Sequence, residues 1–466
     1  MRGVNSFHNM QIRLIILSVT IALLFSACKS WGKFWLTEIS YPANPLLLTQ
    51  NIAMTAVTPT IPGSVKSCSV SPSLPAGLSI ANDCTISGTP THGQGTLPYR
   101  ITADIGSDTV AGELRIRVLY QPRFVYAANT TSNNVSFFTI NANGSLNAAI
   151  NYNVGSAPRF VIVHPAGRFL YVANHGSANI SVLEITQATG ALTTLTSSPF
   201  ATSANPYSLA FDPQGRFLFV GHESAAVAAV SAYTVNAASG ELTQVAGSPF
   251  TVAAGSTPVA VHVDPTGNFL YVGSSQSGAN AHTFAINQGS GALTQIAGSP
   301  FGTINDAISV FAHPSGKFVY YAQYFAPTGA VGFSRNSVSG ALSLMSGSPF
   351  AAGLAPGFIT GDVYGRFVYV ANSGDISGTA GISGFSVNSA TGELTPMPGS
   401  PFAATQNPIG FAVDETVRFA YAANTGTGHV TAYAIDAGTG ALTTVAGSPF
   451  TAGTSPNAVT VAGSNP

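Results

Sequence analysis

Pro258-Val259-Ala260-Val261-His262-Val263-Asp264-Pro265-Thr266-Gly267-Asn268-Phe269-Leu270-Tyr271-Val272 decides the fold. Two short apolar runs flank a tight turn. Pro suits the second turn position and Gly the position needing φ > 0. The first run is strand a and the second, Phe269 to Gly273, is strand b. His282-Thr283-Phe284-Ala285-Ile286 continues as strand c, and strand d starts at Ala292. One unit therefore holds four strands.

The same unit recurs. Strand b repeats as Phe124-Val125-Tyr126, Phe169-Leu170-Tyr171, Phe217-Leu218-Phe219, Phe269-Leu270-Tyr271, Phe318-Val319-Tyr320, Phe367-Val368-Tyr369 and Phe419-Ala420-Tyr421, at spacings of 45, 48, 52, 49, 49 and 52. A Gly-Ala/Glu-Leu-Thr/Ser stretch ending in Ser-Pro-Phe closes units at Phe200, Phe250, Phe301, Phe350, Phe402 and Phe450. Strand a opens at Pro158, Pro206, Pro258, Pro356, Pro408 and Pro456. Four strands per such period is the size of a propeller blade. Leucine-rich and helical repeats are excluded by period length and by the lack of a 3.6-residue stripe.

The ends predict how the ring closes. The first unit starts at strand b, Phe124, without a strand a. The chain finishes with Pro456-Asn457-Ala458-Val459-Thr460-Val461, a strand a without a unit. The expected fold class is all-β: a seven-bladed β-propeller over residues 120–466 closed by the C-terminal strand, which leaves no open sheet edge in the first blade.

Composition narrows the function. Among 466 residues, 7% are charged, Lys+Arg is 16 and Asp+Glu 17, and the net charge is −1; ordinary domains carry about 25% charged residues. Nucleic acid as a partner is excluded for want of a basic face. Disorder is excluded by the 45% apolar content.

Residues 1–13 carry Arg2 and Arg13 and no acid, and Leu14 to Phe25 is uncharged. This is the pattern of a secretory signal, too short to span a bilayer at about 20 residues. Leu24-Phe25-Ser26-Ala27-Cys28 resembles the bacterial lipobox. The resemblance implies cleavage after residue 27, lipidation of Cys28, a tether over 28–35, and a membrane partner through the lipid, at the outer membrane or cell surface. An ordinary cleavage site beside an incidental Cys is the alternative. In an exported chain, Cys68 and Cys84 form one left-over pair, read as a disulfide or as two buried thiols. A disulfide would close a loop of roughly 15 residues, worth about 3 kcal/mol in loop entropy.

Residues 36–119 alternate short apolar stretches with Pro, Gly and Ser, as strands and turns do. Leu74-Pro75-Ala76-Gly77-Leu78-Ser79-Ile80, followed by Ile86-Ser87-Gly88-Thr89-Pro90, resembles the Ig-like domains of bacterial surface proteins. The implied module is a small β-sandwich serving as a spacer or adhesion module, not an active site.

Tyr171-Val172-Ala173-Asn174 and Asp212-Pro213-Gln214-Gly215-Arg216-Phe217 resemble the seven-bladed lactonase-type propellers, which include 6-phosphogluconolactonase-like and YVTN-repeat proteins. Enzymes of that family carry a Pro-Arg-His-type motif on strand a at the ring mouth. Here the motif reads Pro158-Arg159-Phe160: the Arg carries over and the His does not.

Candidate chemistry is sparse. Six cations precede the strand-b Phe: Arg123, Arg168, Arg216, Lys317, Arg366 and Arg418. Asp212, Asp362 and Asp414 stand four residues before three of them. They form either an anion-binding circle or local ion pairs worth about 0–1 kcal/mol each. At the opposite end, strand b finishes in Asn129, Asn174, His222, Ser274, Gln323, Asn372 and Asn424. Arg159, His175, His222 and Glu223 are the residue types for acid–base work on a lactone, with Asp306 and Asp375 further round. They are equally the types that decorate surface loops. Tyr324 and Phe325 offer an aromatic binding platform. No metal-binding or phosphate-loop motif occurs, and no cofactor is implied.

Two functions follow. The first expectation is a surface-anchored, monomeric lipoprotein whose propeller mouth binds a protein, a sugar or a small anionic ligand through Arg159, without turnover. The alternative is an exported lactonase-like hydrolase or isomerase.

Overall fold

The computed structural model describes residues 38–106, 108–224, 226, 228–252, 256–275, 280–374 and 380–463. Cys28, its signal segment and Asp375 lie outside them. The described residues contain only β-strands as regular elements, and no helix among them is long and apolar enough to cross a membrane.

The chain divides into two units. The first unit carries most of one four-stranded sheet, in the order Leu46–Thr49, Thr109–Leu119, Gln94–Asp104, Ser67–Ser71, and Leu78–Ile80 pairs with Ile86–Gly88 as an antiparallel hairpin. Alternate residues Ile101, Ala103, Leu114 and Ile116 are fully buried, as period-two patterning requires. Cys68 and Cys84 form a disulfide with Cα atoms 5.3 Å apart. The bond ties the sheet to the hairpin turn.

The second unit is the propeller. Seven inner strands line a central channel: Pro158–Val163, Pro206–Phe211, Pro258–Val263, Ala307–Ala312, Pro356–Gly361, Pro408–Val413 and Pro456–Gly463. They belong to blades 2 to 7 and, last, to blade 1. In each of blades 2 to 7, strands a to d follow in order, and the short strand at the Ser-Pro-Phe motif pairs with strand c. Blade 1 has the order Pro456–Gly463, Pro122–Asn129, Asn134–Thr139, Ile150–Asn153. The last strand thus supplies the missing strand a.

The repeat motifs are the joints between blades. Tyr126, Tyr171, Tyr320, Tyr369 and Tyr421 each donate a hydroxyl hydrogen bond, 2.6–3.2 Å, to the carbonyl of Gly190, Gly240, Gly392, Gly440 and Gly144 in the next blade. The partner must be Gly. Gly190 has φ +77°, and a Cβ there would lie 2.5 Å from the Phe124 ring. The Ser of each Ser-Pro-Phe accepts from a strand-c N–H, as Ser198 Oγ does from Val182 at 2.9 Å. At the a–b turns the local reading of the cations holds in two blades. Arg216 pairs with Asp212 and Arg366 with Asp362, both at 3.0 Å. Asp212 and Asp362 also accept from the strand-b N–H of Phe217 and Phe367 at 2.9 Å.

Candidate functional site

The mouth of the channel is built from one repeated contact. The residue following strand b donates its N–H to the carbonyl of the residue preceding strand a. These pairs are Thr130–Ser455, His175–Ala157, Glu223–Asn205, Ser275–Thr257, Tyr324–Asp306, Ser373–Ala355 and Thr425–Asn407, at 2.9–3.1 Å. Four of the seven donors are Ser or Thr. Thr130 and Thr425 use their hydroxyls to bond the carbonyls of Pro158 and Pro456 in the adjoining blade, at 2.9 and 2.8 Å. His175, Glu223 and Tyr324 break this pattern.

His175 and Glu223 meet across blades 2 and 3, with Nε2 2.7 Å from Oε2. The His175 hydrogen bond and charge, with the charge of Arg159, hold the Glu223 carboxyl below its ordinary pKa. Glu223 is therefore ionised at neutral pH and fixes the imidazole.

Arg159 and Tyr207 sit on a shared device. In every blade the pairing of strands a and b slips after the leading residue, leaving the second residue of strand a bulged. A bulge re-aims its side chain. Arg159 and Tyr207 both occupy that position and line the channel. The Arg159 guanidinium lies over the Tyr207 ring, 5.5 Å from its centroid. Its Nε is buried without a hydrogen-bond partner, and its carbonyl accepts from Asn457 Nδ2 at 2.8 Å.

Asp306 precedes strand a of blade 5 with φ +63°, a left-handed conformation that Asp tolerates better than most residues. Its residue surface is 7% exposed, and Oδ1 is buried without a hydrogen-bond partner. Burial, reinforced by the negative charge of Glu223, pushes the carboxyl up to about 6. Tyr207 feels Arg159, Glu223, Asp306 and Tyr324 together, so these five form one electrostatic group.

Aromatic rings complete the mouth. Tyr324 and Phe325 pack edge to face at 5.2 Å, and Phe325 is 59% exposed. Phe160 of blade 2 and Phe358 of blade 6 meet across the channel at 6.3 Å. The channel encloses about 1010 Å³.

The site therefore gathers Arg159, His175, Glu223, Tyr324 and Phe325 from the sequence candidates. His222 does not join them. It is fully buried inside blade 3, its Nε2 2.8 Å from Ser231 Oγ and its Nδ1 3.2 Å from Ala204 O. Burial depresses its pKa to about 4, so it is a neutral structural group. Asn129, Asn174, Asn372 and Asn424 fill the equivalent positions and are equally buried. Tyr207 was absent from the candidates and Asp306 was noted without a role. Both would have surfaced from aligning the seven repeats at the bulge and the residue before strand a. No group of three or more His, Cys, Asp or Glu arranged to hold a metal occurs among the described residues.

A propeller of seven blades around a central channel agrees with the comparisons. The family model "Lactonase, 7-bladed beta-propeller" matches residues 89–205, 198–278 and 345–461. The chain belongs to the lactonase seven-bladed β-propeller family. A second model, of Ig domains, matches residues 40–118. A 6-phosphogluconolactonase of Pectobacterium carotovorum is 25% identical over 184 residues, 38% of this chain and 53% of the relative. One from Serratia proteamaculans is 32% identical over 85 residues, 18% and 26% of the two chains. The chain thus spans about half the length, or less, of these curated relatives. Among solved structures, the Pseudomonas aeruginosa periplasmic gluconolactonase is similar at TM-score 0.59 and 19% identity, over 73% of this chain and 99% of that one. A Lactobacillus plantarum protein matches at TM-score 0.61 and 17% identity, over 73% and 99%. At such identities these two likenesses speak for the fold.

Proposed function

We propose that this protein is a lactone hydrolase working at the propeller mouth. The observation that carries the reading is the convergence of Asp306, Arg159 and the His175–Glu223 pair around one channel opening. The expectation of binding without turnover rested on Phe160 standing where the family has His. His175 and Glu223, from the loops above, bring acid–base groups to the same opening.

The chemistry follows from the groups. A carboxyl titrating at about 6 is a better base near neutral pH than an ordinary Asp and remains a usable acid. Asp306 takes a proton from water as the water oxygen bonds to the lactone carbonyl carbon. Arg159, with an unpartnered Nε, steadies the oxyanion that forms. As the ring C–O bond breaks, Asp306 returns the proton to the leaving oxygen. Glu223 holds the His175 ring in place beside the substrate, as a carboxylate orients a histidine in other acyl-transfer sites. The product is an open hydroxy acid.

The test is hydrolysis of glucono-δ-lactone, followed by proton release. Asp306→Asn is expected to lower kcat by about 10²–10⁴-fold, the usual range for a general acid–base group. Native-like turnover in that variant would remove Asp306 from the chemistry, and no turnover by the intact chain would remove the reading.

The address is part of the proposal. The signal pattern of residues 1–27 and the lipobox at Cys28 support export and lipid anchoring at the cell envelope.

A further inference from the structure

This inference rests on the lactonase reading and concerns what the mouth selects. The propeller sequence after residue 120 holds eight Lys and Arg residues. Six stand directly before the strand-b Phe, at the end of strand b away from the mouth. Arg335 lies 3.4 Å from Asp264 with its side chain 5% exposed. That leaves Arg159 alone at the mouth. It faces Glu223, which is held ionised, and Asp306, which is negative above pH of about 6. Any charge on His175 is already engaged by Glu223, 2.7 Å away. A phosphate group carries about −1.5 to −2 charges near neutral pH. Brought here, it would meet Arg159 as the one Lys or Arg, a His175–Glu223 pair whose groups already engage each other, and the Asp306 carboxyl, which adds negative charge above about pH 6.

The rest of the mouth is aromatic. The Phe160–Phe358 pair spans the channel beneath Arg159. Phe325 and Tyr324 stand at the rim with their planes at 88°, and Phe325 is largely exposed. Aromatic rings favour stacked or edge-to-face partners. Tyr207, under the Arg159 guanidinium, adds a third surface.

We infer that the mouth selects unphosphorylated lactones carrying a flat apolar or aromatic ring, over phosphorylated sugar lactones. The ring stacks against Tyr324 and Phe325 above the Phe160–Phe358 pair. The lactone carbonyl turns to Arg159 and Asp306. The newly formed carboxylate then faces Glu223 and ionised Asp306, which favours its release.

The experiment compares the full chain on dihydrocoumarin, glucono-δ-lactone and 6-phosphogluconolactone. The expected kcat/KM on dihydrocoumarin exceeds that on 6-phosphogluconolactone by at least tenfold. In a Tyr324→Ala, Phe325→Ala double variant, KM for dihydrocoumarin rises about tenfold with little change in kcat, and the preference over glucono-δ-lactone falls by the same factor. A higher kcat/KM on 6-phosphogluconolactone overturns the inference and leaves the lactonase reading standing. If no lactone is hydrolysed, the lactonase reading fails and recognition is still measured. Calorimetry with the lactam isostere of dihydrocoumarin is expected to show binding that the double variant loses. Absence of that binding, or its persistence in the double variant, overturns the inference.

Discussion

His175 Nε2 and Glu223 Oε2 lie 2.7 Å apart although 48 residues separate them in sequence. They occupy the same repeat position in adjacent blades. Each is anchored by its own N–H, to Ala157 and Asn205. The fold brings the two together because one blade rotates into the next, so equivalent positions become neighbours round the mouth.

The pair gives a direct prediction. Glu223→Gln keeps a hydrogen-bond partner for His175 and removes the charge that orients it. We expect kcat on glucono-δ-lactone to fall by about tenfold or more, with Tm within a few degrees, because the side chain is partly exposed. A steady-state assay and a melting curve on the same preparation check this. Unchanged kcat would show that the pair is only a joint between loops.

Asp306 predicts opposite pH effects on activity and stability. Its pKa rises from 3.8 in the unfolded chain to about 6 in the fold, so the fold favours the neutral acid. Its contribution to stability is complete below about pH 3.8 and is lost as pH rises through about 6. Activity that uses the carboxylate rises over the same interval. Asp306→Asn should therefore be more stable than the parent at pH 8 and equal to it near pH 3.5, by denaturant melts at both pH values. The parent's kcat should climb through an apparent pKa of about 6.

The closing strand predicts a truncation phenotype. Pro456–Gly463 pairs with Pro122–Asn129 along its full length. Deleting residues 456–466 opens the inner edge of blade 1 and uncovers Val125 and Ala127, both fully buried in the intact chain. Several kcal/mol of pairing and burial are lost. Melting should fall by roughly 5 °C or more. A truncated chain melting within a degree of the parent would contradict the register.

The lipobox proposal is tested by Cys28→Ser. Metabolic labelling with a palmitate analogue should disappear and the protein should leave the membrane fraction. Labelling at the parental level would remove Cys28 as the anchor.

The propeller was legible in the sequence because each repeated residue does a local, repeated job. Tyr171 reaches Gly240 and Tyr369 reaches Gly440 by the same geometry, so period and motif coincide. The closing strand was legible for the same reason, as a unit short of one strand at the start. The site was only partly legible. His222 and Glu223 are neighbours in sequence, yet one side chain is buried in its blade and the other opens on the mouth, because successive strand-end residues face opposite ways. Asp306 reads as a turn residue until burial and the charge of Glu223 are known. Phe160 read as a missing group. In the structure it is half of an aromatic pair with Phe358, which no local pattern announces.

The closing strand also reaches the chemistry. Asn457, its second residue, donates to the backbone carbonyl of Arg159, so the cation of the site is braced by the final stretch of the chain. A polypeptide stopped short of residue 456 lacks both the clasp of the ring and the hydrogen bond that holds the Arg159 backbone. If the mouth works as proposed, loss of this strand is expected to cost activity together with ring closure.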